Sequence, residues 1–231
     1  MDAWTTTNSV QTADRVSAFL WKVYGWMALG LGLTAMVAFA VAGSPDVQRV
    51  LVGNRLVFFA LVIAQLGLVF YLSARADRLA PGTAAGLFAI YSALTGVTLS
   101  VILLVYTGES VTMTFVVTAG MFGALALFGS TTKRSLAGAG QFFMMGLIGL
   151  ILASIIGMFW HNDALQFLIS VVGVIVFTGL TAYDAQRLKQ MALAVPAGQA
   201  GSYAVVGALS LYLNFINLFL MLLRFTGSRR S

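Results

Sequence analysis

Long apolar stretches alternate with short polar breaks along the whole chain. Seven stretches cover about 19–42, 56–73, 84–107, 110–129, 139–160, 165 to beyond Asp184, and 202–225. A hydrocarbon core about 30 Å thick is crossed by roughly 20 apolar residues in a helix. The pattern therefore predicts an all-α integral membrane protein with seven transmembrane helices. The breaks carry turn chemistry: Gly43-Ser44-Pro45-Asp46, Pro81-Gly82, Thr107-Gly108-Glu109, His161-Asn162-Asp163 and Pro196-Ala197-Gly198. Such short links make successive helices antiparallel neighbours. Residues 1–18 read as a polar, slightly amphipathic cytoplasmic tail, and 19–231 as a single transmembrane domain. The tail lacks the basic region, short apolar core and cleavage site of a removable signal peptide.

Composition sharpens this. The chain is 60% hydrophobic and 9% charged, against about 25% charged in a soluble domain, which leaves no room for a soluble second domain. With no cysteine and one histidine, His161, disulfides, thiolate chemistry and Cys- or His-rich metal sites are excluded. The net charge of +6 does not indicate nucleic acid, because the basic residues sit at the ends of apolar runs, where they set orientation. With the N-terminus inside, Arg15, Lys22, Arg75, Arg78, Lys133, Arg134, Arg187 and Lys189 are cytoplasmic. Arg49, Arg55, Arg224, Arg229 and Arg230 lie outside. That eight-to-five bias favours a cytoplasmic N-terminus. The three C-terminal arginines oppose it, and a last segment that re-enters without crossing is the alternative. Trp21, Tyr24, Tyr71, Tyr106 and Trp160 near span ends suit the membrane interface.

Chemistry is sparse. There is no Gly-x-Ser-x-Gly, His-Glu-x-x-His, P-loop or Gly-x-Gly-x-x-Gly pattern, so no enzyme and no cofactor are expected. Asp184 is the one carboxylate within reach of a membrane-buried position, and an ionisable group there marks a functional site. Thr181 and Asp184 share a helix face with Ser170, Gly173 and Phe177. On the last span Ser210, Asn214 and Asn217 form a polar stripe at helical spacing. Asp184 and Asn214 are equidistant from position 199, so an antiparallel pair brings them to equal depth as hydrogen-bond partners. The competing reading puts Asp184 at the headgroup level, reaching water beside Arg187. Asn214 and Asn217 read equally well as helix–helix glue. Ser92, Thr95 and Thr98 either line a polar path or bond back to their own helix, and Gln65 reads as a packing contact. Arg75 is either a counter-charge for Asp184 or a solvated topology signal.

The stretch Ala208-Leu-Ser-Leu-Tyr-Leu-Asn-Phe-Ile-Asn-Leu-Phe219 resembles the last-span signature of the Bax-inhibitor family, also called the transmembrane Bax inhibitor motif family. Thr181-Ala-Tyr-Asp184-Ala-Gln resembles the end of its sixth span, and Thr131-Thr-Lys-Arg-Ser-Leu136 its loop between spans four and five. The resemblance covers nearly the whole chain, and the size and short termini look like those of a bacterial, inner-membrane member. It implies a seven-helix bundle with the last helix central, and a pH-sensitive calcium leak with Ca²⁺ as the permeant ion. In the family two aspartates on the last two spans form the pH-sensing pair, and an arginine near the end of span two engages the first. Asp184 matches the first aspartate, Arg75 matches the arginine approximately, and Asn214 takes the second aspartate's place. Two touching carboxylates share a proton; an Asp–Asn pair does not, so the family's pH response and Ca²⁺ affinity are expected to be altered here. The resemblance also implies an alternative from another class, a membrane interaction protein that modulates a membrane-bound ATP-dependent protease.

Overall fold

The computed structural model describes residues 3–160 and 162–230; His161, placed by the sequence in a turn, lies outside the described residues. Eight α-helices and no strand occur among them: α1 (Ala3–Ala42), α2 (Pro45–Gly53), α3 (Arg55–Ala74), α4 (Pro81–Val105), α5 (Gly108–Thr131), α6 (Ala137–Phe159), α7 (Asp163–Ala194) and α8 (Ala200–Thr226). All but α2 are long and apolar enough to cross a membrane. The chain is thus a multi-pass integral membrane protein, and the seven expected spans appear within a few residues of their expected ends, except that the first begins earlier, at Thr12 rather than about Phe19. Helix α1 begins at Ala3, so the polar residues before the first apolar run continue its helix.

The extra helix, α2, starts where the sequence shows only a break. Pro45 supplies a fixed φ at the first helical position, where no amide hydrogen is needed, and Asp46 favours the positive end of the helix dipole. At the next start, Asn54 caps α3 by accepting from the amides of Leu56 and Val57. Thr107 caps α5 through Ser110 N. These side chains take over amides that have no partner inside the helix.

The contact pattern divides the chain into two units. The first contains residues up to Val105 and Leu188–Tyr212; the second contains Tyr106–Arg187 and Leu213–Ser231. Helices α7 and α8 contribute to both. In the first unit α1 and α4 touch closely: a Cβ on Gly96 would stand 2.6 Å from the Thr34 carbonyl oxygen. Leu188 and Val23 close over Gly207 of α8. In the second unit Leu150, Ile169, Val176, Phe177, Leu180, Leu218 and Met221 form a buried cluster, and Phe215 lies between Phe115 and Phe122, ring centroids 5.3 and 5.5 Å away. The most enclosed helix is α8: 72% of its apolar window is buried, against 6–39% for the other six spans. In lipid this distinguishes a helix that faces protein from helices that face acyl chains.

The direction of α8 is set inside the second unit. Past its end, Ser228 O accepts from Thr107 N at 3.0 Å. Ser228 N donates to Ser110 Oγ at 2.9 Å, and Arg230 Nε donates to Tyr106 O at 3.1 Å. The tail is thereby tied to the start of α5. At the far end of α5, Gln186 of α7 grips the α5–α6 link: its amide nitrogen donates to Arg134 O and its oxygen accepts from Leu136 N, both at 2.8 Å. Helix α7 thus arrives at one end of α5 and α8 finishes at the other. This geometry is that of a last helix that crosses fully, against the re-entrant alternative. Because the chain lacks cysteine, single-cysteine variants test this directly. Glu109→Cys and Ser228→Cys are expected to react with a membrane-impermeant maleimide from the same side of sealed vesicles, and Lys133→Cys from the other. Labelling of Ser228→Cys from the Lys133 side would contradict a full crossing.

Candidate functional site

The site stands where α7 faces the second half of α8. Glycines bring the neighbouring helices onto α7 just before Asp184: the backbone of Ala182 presses on Gly129 of α5, and the Tyr183 ring lies over Gly140 of α6, too closely for a Cβ at either position. Their smallness is what encloses this turn of α7. Ser170 and Thr181 are buried and return their hydroxyls to Gln166 O and Phe177 O, at 2.9 and 2.7 Å. They sit on the expected face without exposing an unbonded polar group. Gly173 meets Met221, so the stripe read from the sequence does face α8.

Asp184 is 8% exposed and Asn214 is 6% exposed. The Asn214 Nδ2 donates to Asp184 Oδ2 at 2.8 Å. An ionised carboxylate has no proton to give, so the amide nitrogen is the group that faces it. The contacts 184–214 and 173–221 share nearly one midpoint, as an antiparallel pair requires. Gln186, bonded to the α5–α6 link, is two residues from Asp184, or about 3 Å along the helix. The pair therefore lies close to that end of the bundle. Among the described residues Asp184 is the only buried charged side chain.

Arg187 approaches the other carboxylate oxygen, Nη1 to Oδ1 at 3.9 Å, with its own side chain 56% exposed. The i, i+3 order of acid before base is favourable on a helix, yet a half-exposed pair at this length contributes little. Both sequence readings of Asp184 thus describe part of the geometry: it is buried against Asn214, and Arg187 stands at its outer edge. Arg75 belongs to the first unit, where it ends α3 exposed, with its guanidinium 5.6 Å from the centre of the Tyr71 ring. Asn217 donates to Leu213 O at 2.8 Å, within its own helix. Ser210 is half-buried on the part of α8 that belongs to the first unit. Within the second unit, Asn214 is the member of the predicted stripe that bonds to Asp184.

Three contributors were missed in the sequence. Gln186 stands two residues after Asp184, so it points to another side of α7; that offset was the available signal for a separate partner. Thr34 and Tyr212 form a buried pair at 2.6 Å in the first unit. A lone threonine and a tyrosine inside otherwise apolar spans were the only hints. Thr95 and Thr98 do bond back onto α4, to Tyr91 O and Thr95 O, both at 2.9 Å.

Removing the amide while leaving the buried carboxylate strands a charged acceptor. Asn214→Leu is expected to lower the unfolding free energy in mixed micelles by about 1–3 kcal/mol. The double variant with Asp184→Leu should lose clearly less than the sum of the two single losses. Additive losses would show that the two side chains do not interact.

The whole chain has relatives. Residues 16–231 match the protein family described as "Inhibitor of apoptosis-promoting Bax1". The chain is 49% identical to the Inner membrane protein YbhL of Escherichia coli K12, over all of both chains. It is 43% identical to a protein of Deinococcus radiodurans, over 95% of this chain and 94% of that one. It is 36% identical to a membrane protein of Streptococcus pyogenes serotype M1, over 92% and 93%. With the family match covering residues 16–231, this chain belongs to the Bax-inhibitor family of membrane proteins.

Proposed function

We propose that this protein is a cation leak pathway, with Ca²⁺ as the permeant ion, in the bacterial inner membrane, controlled where Asp184 of α7 meets Asn214 of α8. The observation that carries the reading is the buried hydrogen bond between them. A carboxylate at membrane depth is costly and is retained where it serves a path, relay or switch. It is also the hard, anionic oxygen ligand that Ca²⁺ prefers. With Asn214 bound to one oxygen and Arg187 beside the other, the carboxylate is occupied by protein. That is the closed arrangement. Protonation removes the charge, weakens both contacts and frees the second half of α8 to move relative to α7.

The same proposal orients the chain. The basic bias of eight to five places the N-terminus and the α5–α6 link, with Lys133 and Arg134, in the cytoplasm. The C-terminal tail, bonded at the opposite end of α5, is then outside. A reporter active only in the periplasm should be active when fused to the C-terminus and inactive at the N-terminus. The reverse pattern would invert the proposed topology.

Asparagine at 214 changes the switch. Two adjoining carboxylates would hold one proton jointly, a coupling that a neutral amide does not supply. Ca²⁺ flux into proteoliposomes across about pH 5–8 is therefore expected to depend more steeply on pH in Asn214→Asp than in the natural protein. Asp184→Ala should abolish the pH dependence. A sharp switch that survives Asp184→Ala would place the control elsewhere. If none of the three proteins conducts, the leak reading fails in favour of the protease-modulating one.

A further inference from the structure

A second buried polar centre lies in the first unit. Thr34 of α1 is 3% exposed, and Ser92 of α4 and Tyr212 of α8 are fully enclosed at 0%. Thr34 Oγ1 lies 2.9 Å from both Gly30 O and Ser92 O, and 2.6 Å from the Tyr212 hydroxyl. A threonine hydroxyl has one proton. The two carbonyls can only accept, so they share that proton, and Tyr212 must donate to Thr34. The tyrosine ring is held edge-on by Phe88 and Tyr91, centroids 5.6 and 5.8 Å away. The helices carrying these partners, α1 and α4, approach closely at Gly30 and Gly96.

Tyr212 is the last α8 residue of the first unit, and Asn214 lies two residues further along the same unbroken helix. Two residues correspond to about 3 Å of rise and 200° of turn. Whatever fixes the height and rotation of Tyr212 therefore fixes those of the Asn214 amide. Ring packing alone leaves an apolar slot in which a helix can slide or turn. A buried hydroxyl bonded to Thr34, with the Thr95 and Ser92 hydroxyls also beside it, does not, since leaving it unbonded among apolar groups is costly.

We propose that the Tyr212–Thr34 hydrogen bond sets the register of α8 and so holds the Asn214 amide on Asp184. Tyr212 and Thr34 are positioning residues, acting through the two residues of helix between Tyr212 and Asn214. The inference rests on the leak reading only for its consequence in flux.

The experiment reads Asp184 itself. Protein labelled with ¹³C-aspartate is reconstituted in lipid, and the infrared spectrum of Asp184→Asn is subtracted to isolate the Asp184 carboxyl band. Tyr212→Phe keeps the ring and removes the hydroxyl; Thr34→Val removes the acceptor at nearly constant shape; Thr34→Ser keeps it. Tyr212→Phe and Thr34→Val are expected to displace the Asp184 band in the same sense as Asn214→Ala, and Thr34→Ser to leave it in place. In proteoliposomes the first two should change Ca²⁺ flux by about threefold or more, in the direction of Asn214→Ala. An unmoved band in Tyr212→Phe and Thr34→Val, with a displaced band in Asn214→Ala, would overturn the positioning role. So would a band that Asn214→Ala does not move. If the band moves as expected but no protein conducts, the positioning role stands and the leak reading fails.

Discussion

Inside a bilayer no water completes an unfinished hydrogen bond, so each polar group at membrane depth must find its partner in the protein. Most of the structure follows from this constraint, with the Gln65 amide nitrogen and the Ser92 and Thr178 hydroxyls as buried exceptions among the described residues. Most polar side chains in the spans meet it locally: Thr98, Thr118, Ser154, Ser170, Thr181 and Asn217 return a bond to their own helix. A few meet it across helices, and those few fix the arrangement. Asp184 and Asn214 join α7 to the second half of α8. Tyr212 and Thr34 join the first half of α8 to α1. Gln186 satisfies both ends of its amide on the α5–α6 link.

The last helix is thereby the most buried element and takes part in a polar cross-tie in each unit. In a membrane the hydrophobic effect does little to draw helices together, and close packing and hydrogen bonds take its place. Small residues supply the close packing where α5 and α6 meet α7 at Gly129 and Gly140, and where α4 meets α1 at Gly96. These approaches enclose Asp184 and Thr34. Enclosure gives their hydrogen bonds more weight than exposed ones would have, because water cannot replace either partner. A carboxylate so placed suits control: one proton changes its charge, and the bonds that depend on that charge hold a helix.

Much of this was legible in the sequence. Apolar length alone set out the seven spans. Symmetry of Asp184 and Asn214 about the turn predicted their contact, because antiparallel helices joined by a short link equalise depth by construction. Side-chain direction was less legible. Asn217 lies on the same stripe as Asn214, yet it bonds to its own backbone, and helical spacing cannot show which way an amide turns. Gln186 and Thr34 depend on contacts 50 and 178 residues away along the chain, distances at which periodicity carries no information. Helix α2 was hidden for the opposite reason. Nine residues are too few for a span, and only the cap and proline signals at its start distinguish it from a loop.

The central claim is that Asp184 is held by Asn214 at membrane depth. Solid-state NMR in lipid bilayers, with ¹⁵N on asparagine side chains and ¹³C on aspartate carboxyls, tests it through the dipolar coupling between the two groups. The account predicts a strong coupling, as a 2.8 Å hydrogen bond requires, that is absent in Asn214→Leu, with an Asn214 amide that exchanges slowly with deuterated water. A weak coupling with a freely exchanging amide would mean that Asp184 faces water instead, and would contradict it.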